Sequence, residues 1–146
     1  MKDELQKQLF DKYPDLFKEK DLPPSQSNMC FGFECDGGWY NLIDTLCSLI
    51  QNEQTYRLNQ KDSNYSPVRV NQVKEKFGML TIYYRGGDDY TDGIFRMAQT
   101  MSACTCEVCG NSGYANKSGW IKTLCDKHHE EREALVCMYA CRQRGL

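Results

Sequence analysis

The sequence predicts an α+β fold, with helices around a small antiparallel sheet and a metal-binding unit at the C-terminal end. Three observations carry this prediction. Trp39, Leu42, Ile43, Leu46, Leu49 and Ile50 recur at helical spacing, giving one apolar face over residues 38–52. Residues 68–85 alternate instead as two strands around Phe77-Gly78, with Leu80, Ile82 and Tyr84 on one side and Met79, Thr81 and Tyr83 on the other. Cys106, Cys109, Cys125 and His128 stand in the pattern C-x2-C-x15-C-x2-H, a spacing that reads as a zinc site.

The remaining elements follow in chain order. Leu5, Leu9, Tyr13 and Leu16 lie at near-helical spacing, but Pro14 interrupts them, so a helix runs to Lys12 and a short turn follows around 15–18. Pro23-Pro24 and three small polar residues make 21–29 a loop. Residues 31–33 suit a short strand, and Asp36-Gly37-Gly38 a turn into the Trp39 helix. Gly86-Gly87-Asp88-Asp89 reads as an exposed loop before a helix over 91–103, with Ile94, Phe95, Ala98 and Met101 inward.

That helix runs into the first cysteine of the metal motif without a linker. The expected organisation is therefore a body over 1–103 and a zinc module over 104–146, packed as one unit. Three thiolates and an imidazole are the ligand set zinc prefers in closed, structural, four-coordinate sites. Gly110 allows a positive φ where the chain turns past the metal. Gly113 and Gly119 bracket Tyr114 to Ser118, which predicts a short hairpin leading into Trp120. Cys125 then opens a last helix, with Asp126, Glu130 and Glu131 toward its N-terminal end and Arg142 and Arg144 toward its C-terminal end. Ala134, Leu135, Met138 and Cys141 would form its apolar side. Knuckle, hairpin and helix in this order make a treble-clef-like unit. His128 is preferred over His129 as fourth ligand, because C-x2-H places it one turn from Cys125.

Nine cysteines without a signal segment point to a cytosol, where clustered thiols are ligands or buried core groups rather than disulfides. Cys47 and Cys137 sit in apolar helical patterns and read as core; Cys30 with Cys35, or Cys137 with Cys141, has the form of half a second metal site, with no complementary pair at suitable spacing. No apolar run is long enough to span a membrane. The net charge of −2 argues against general duplex binding, yet residues 57–85 carry six cations, including Arg57, Lys74, Lys76 and Arg85, against Asp62 and Glu75.

The motif inventory leaves little room for catalysis. The two histidines are adjacent and one is assigned to the metal. The deaminase, P-loop and nucleophile-elbow signatures are missing. Asp88-Asp89 offers only two carboxylates for a hard cation, and an acidic surface loop is the plainer reading.

Three stretches together resemble a family of small, mostly uncharacterised bacteriophage and prophage proteins: Glu34-Cys-Asp-Gly-Gly-Trp-Tyr-Asn-Leu-Ile-Asp-Thr-Leu-Cys47, Gln72-Val-Lys-Glu-Lys-Phe-Gly-Met-Leu80, and Gly119-Trp-Ile-Lys-Thr-Leu-Cys125. The resemblance spans residues 8–130. It implies a phage accessory protein acting in the host bacterial cytoplasm. Proteins of that class commonly bind host factors and counter host defence. The expected function is therefore a non-enzymatic binding protein that neutralises a host protein or sequesters a small nucleotide signal. A nucleotide would need cations for phosphate and an aromatic for the base, for which Trp39, Tyr40, Lys74, Lys76, Tyr84 and Arg85 are the candidates. Core aromatics and a solvated hairpin face are the plainer reading of these residues. A zinc-containing nucleic-acid-binding regulator is the alternative, and a metal-dependent nuclease using Asp88 and Asp89 ranks last.

Overall fold

The structure is a computed structural model that describes residues 1–116 and 119–143, with side chains as far as Met138. Its described residues form four α-helices, a three-stranded mixed sheet and a separate two-stranded sheet. The α+β class therefore holds. Cys141, Arg142 and Arg144, expected on the last helix, lie outside the described side chains.

Helix α1, Asp3–Lys12, stops where Pro14 removes a backbone donor. Its Leu9 and the following Tyr13, Leu16 and Phe17 enter the core. Tyr13 Oη donates to Asp44 Oδ1 at 2.8 Å, and Lys12 Nζ reaches the same carboxylate at 2.8 Å. Phe10, Phe17 and Phe33 then form an aromatic cluster with centroids 5.2–5.4 Å apart.

The two-residue strand β1, Phe33–Glu34, pairs parallel with β2, Arg69–Lys76, through Phe33↔Val73 and Glu34↔Lys74. Strand β2 pairs antiparallel with β3, Met79–Arg85. The sheet is thus mixed, which corrects the antiparallel expectation. The physical reason is the connection: parallel neighbours need a crossover, and α2, Tyr40–Asn59, supplies one between β1 and β2.

Helix α2 also outruns its expected end. Beyond residue 52 the apolar periodicity fades, but Arg57 Nε reaches Glu53 Oε1 at 2.6 Å across one turn, and buried Gln54 accepts the Val68 amide at 2.8 Å. The β2–β3 turn falls at Phe77-Gly78 as expected, with positive φ at both residues. Leu80, Ile82 and Tyr84 face inward as the alternation predicts. Helix α3, Asp89–Ser102, begins two residues earlier than expected because Asp88 caps it, accepting the Thr91 amide at 3.1 Å.

Strands β4, Tyr114–Ala115, and β5, Thr123–Leu124, form the small second sheet, and α4, Asp126–Gln143, follows. The predicted apolar side of α4 is not buried: Leu135 and Met138 are exposed, and so are Ala134 and Cys137. The apolar pattern is present, but no described element packs over it. Cys47, by contrast, lies in the core as predicted.

Candidate metal centre

The ligand atoms of Cys106, Cys109, Cys125 and His128 lie within 4.8 Å of one another. Each is placed by a local device. Cys106 and Cys109 flank a tight loop closed by Gly110 N–H to Cys106 O at 2.9 Å and Cys106 N–H to Asn111 O at 2.7 Å. Gly110 adopts φ +79°, and a Cβ there would sit 2.9 Å from the Gly38 carbonyl, so glycine is required on both counts. Cys125 stands between β5 and α4, and His128 lies in the first turn of α4.

The distances suit a metal-sized cage. Cys109 Sγ and Cys125 Sγ are 3.8 Å apart, and His128 Nδ1 lies 3.4 Å from Cys106 Sγ and 3.2 Å from Cys125 Sγ. A tetrahedron with metal–sulfur bonds of about 2.3 Å has sulfur–sulfur edges of about 3.8 Å and sulfur–nitrogen edges of about 3.6 Å. The four atoms are therefore compatible with a metal site, and Nδ1 is the ligand atom His128 presents. His129 turns away: its Nε2 donates to Tyr114 O at 2.9 Å, and its ring packs 4.5 Å from the Tyr114 ring.

The electrostatics favour thiolate at the buried corner. Burial opposes ionisation of the Cys106 thiol, but the backbone amides of Cys109, Cys125 and Val108 outweigh it and pull Cys106 down to about 6. In the body the balance is reversed. Burial pushes Cys35 up to about 12 and Cys47 upward as well, which leaves both neutral and unreactive.

The cluster is joined to the body through the Asp36–Trp39 turn. Gly38 N–H donates to Glu107 O at 2.7 Å, and Trp39 Nε1–H donates to Thr105 O at 2.8 Å. A Cβ on Gly38 would lie 2.3 Å from the Cys106 carbonyl oxygen, so only glycine permits this approach. Glu107 is 1% exposed and is matched on both oxygens, by the Asp36 amide at 3.1 Å and by Lys122 Nζ at 2.9 Å. Burial raises its carboxyl pKa, with Lys122 pulling the other way. On the opposite side Thr123 Oγ1 donates to Gly78 O at 2.6 Å. Sequence reasoning did not single out Glu107 or Gly38. The signal for Gly38 was a Gly-Gly pair at a helix start; nothing local marks Glu107, whose partners lie far away in the chain.

The six expected ligand contacts do not converge. Trp39 is fully buried, so its ring is not available to stack on a base. Tyr40 hydrogen-bonds Gln8 at 3.0 Å. Tyr84 lies on the inner face of the sheet, stacked on Phe95 at 3.9 Å and hydrogen-bonded to Asp92. Arg85 pairs with Glu19. Lys74 and Lys76 alone stand together, two residues apart on the outer face of β2. The basic stretch is likewise offset by acids, Asp62 within it and others from outside: Arg57 meets Asp62 at 3.2 Å, Glu53 at 2.6 Å and Asp88 at 2.9 Å. Asp88 is thereby engaged by a cap and an ion pair rather than held free beside Asp89.

Comparison with protein-family models, with curated proteins and with solved structures returns no match to this chain. No helix among the described residues is long and apolar enough to cross a membrane.

Proposed function

We propose that this chain is a non-enzymatic binding protein whose C-terminal region is a treble-clef-like unit stapled by a structural zinc ion, and that it captures a component of a bacterial host. The observation that carries this reading is the closed ligand set. Three sulfurs and one imidazole nitrogen lie within 4.8 Å of one another, enough to fill a tetrahedron around one ion, which would leave no open position for substrate. Zinc in such a site contributes folding energy. The order of knuckle, β4–β5 hairpin and α4 supports the treble-clef assignment. Both histidines of the chain are engaged, His128 in the cluster and His129 by the Tyr114 carbonyl, which supports binding over acid–base catalysis.

The resemblance of three sequence stretches to phage and prophage proteins supports a host target in the bacterial cytoplasm, either a protein or a small nucleotide, and a role in countering host defence. A zinc-containing nucleic-acid-binding regulator is the weaker reading, because Arg57 and Arg85 are matched by carboxylates. The nuclease reading is weaker still, because Asp88 is engaged by Thr91 and Arg57.

Native mass spectrometry of the full chain purified from bacterial cytosol tests the proposal. One zinc per chain, with a co-purifying small molecule or protein, is the expected result. Turnover of a phosphodiester substrate that disappears in Asp88→Ala would contradict it.

A further inference from the structure

Phe77 presents a contradiction that points to a ligand. It occupies the first position of the two-residue β2–β3 turn at φ +53°, followed by Gly78 at φ +78°. This conformation favours Asn, Asp or Gly, and a bulky aromatic there is strained. Such a backbone conformation persists where surrounding structure imposes it, yet the Phe77 side chain is 68% exposed. Observed backbone strain without a packing return is a signature of functional positions.

A second exposed aromatic faces the same space. Trp120 is 71% exposed and precedes β5; its carbonyl accepts from Arg132 on α4. The two hairpins are held together where Gly78 allows close approach: a Cβ there would lie 3.1 Å from both Ile121 and Thr123. Between them is a cleft of about 400 Å³ lined by Lys74, Glu75, Lys76, Phe77, Trp120 and Ile121, in which the Glu75 carboxylate is engaged by the Gly78 amide at 2.7 Å. Lys74 Nζ lies 5.5 Å from the Tyr83 ring and Lys76 Nζ 5.8 Å from the Phe77 ring, and neither forms an ion pair with a carboxylate among the described residues.

We propose that this cleft binds a single nucleotide, its base stacked on Phe77 and Trp120 and its phosphates held by Lys74 and Lys76. Exposed aromatic faces are a sequence-tolerant platform for a base. Two unmatched ammonium groups beside them supply the charge a phosphate needs and an uncharged ligand would not use. The volume falls at the low end of small-molecule sites, which suits one nucleotide unit better than a strand. The inference rests on the reading of this chain as a binding protein and replaces the sequence-derived ligand set: the two lysines remain, and Phe77 and Trp120 take the place of Trp39, Tyr40, Tyr84 and Arg85.

Calorimetric titration of the zinc-loaded full chain with ATP and with GTP tests this, and quenching of Trp120 fluorescence reports the site, Trp39 being buried. Saturable binding is expected with at least one of them, weakened by adenosine-only or triphosphate-only probes. Trp120→Ala should weaken binding roughly ten- to a hundredfold, the range for loss of one stacked base, while Trp120→Phe retains most of it. Lys74→Glu combined with Lys76→Glu should abolish binding at unchanged zinc content and melting temperature. No saturable binding by either nucleotide, an affinity indifferent to Trp120→Ala, or tighter binding of oligothymidylate than of the mononucleotides would each overturn the proposal. If a host protein co-purifies while neither nucleotide binds, the cleft assignment fails and the binding-protein reading stands. If a catalysed turnover is found instead, that reading itself fails.

Discussion

Cys47 and Cys106 are both buried, yet they belong to regions held together in different ways. Cys47 sits among Leu46, Ile50 and other apolar side chains of the body, where burial keeps its thiol neutral. Cys106 sits among amide donors and other ligand atoms, where the thiolate is favoured. The body buries Leu9, Leu16, Phe17, Trp39, Ile43 and many more. Between residues 104 and 138, the buried apolar side chains among those described are Cys106 and Leu124. A region with so little apolar burial cannot offset its own chain entropy by packing and must be cross-linked by other means. The body stands on its own core, and the Cys106, Cys109, Cys125 and His128 cluster is the means left for holding the C-terminal region.

The largest expected effect separates the two regions most sharply. Chelation, or Cys106→Ser, should release the C-terminal region while leaving the body folded, because the binding energy of a metal held by the proposed site would be folding energy. Alkylation with peptide mapping checks this: Cys109 and Cys125 become reactive after chelation, whereas Cys35 and Cys47 stay protected until the whole chain unfolds. Simultaneous exposure of all of them would merge the two regions into one cooperative unit.

Trp39→Ala comes next and acts on the joint between them. It empties a fully buried site and removes the donor to Thr105 O, so a loss of about 4 kcal/mol is expected in urea unfolding. Lys122→Ala leaves the Glu107 carboxylate buried without its cation and should lower stability by about 3 kcal/mol. Lys122→Ala with Glu107→Gln should recover much of that loss, since the remaining amide needs no cation.

The smallest effect lies wholly in the body. Partial burial works against ionisation of Asp44, but the hydrogen bonds from Lys12 and Tyr13 prevail and hold its pKa below the usual aspartate range. A depressed carboxyl contributes stability above its unfolded pKa and loses it as pH falls through the folded one. Asp44→Asn should therefore cost less than about 1 kcal/mol at neutral pH, since Lys12 is largely exposed, and the difference should vanish in strong acid. Melting curves across the acid range would show this.

What the sequence made legible follows the same division. The grouping of Cys106, Cys109, Cys125 and His128 was readable because metal-ligand spacing is a local pattern. The Lys12 helix stop and the Phe77-Gly78 turn were readable because Pro14 and alternation act locally. The parallel pairing of β1 was not, since two residues carry no alternation and their partner lies beyond a whole helix. The charge excess over residues 57–85 misled because Glu19, Glu53 and Asp88 lie outside that window and are brought in only by folding. Glu107 and Gly38 were invisible because their roles arise where two distant segments meet. The last helix kept its apolar pattern without acquiring a described partner for it, which periodicity alone cannot foresee.

Hydrogen exchange measured by mass spectrometry, before and after chelation of the full chain, distinguishes a C-terminal region held by a metal from one held by packing. The predicted result is loss of protection in β4, β5, the start of α4 and the Gly38 amide, with α2, β2, β3 and α3 retaining theirs. Unchanged protection around Cys106 and Cys125 after complete metal removal would contradict it, as would equal loss throughout the chain.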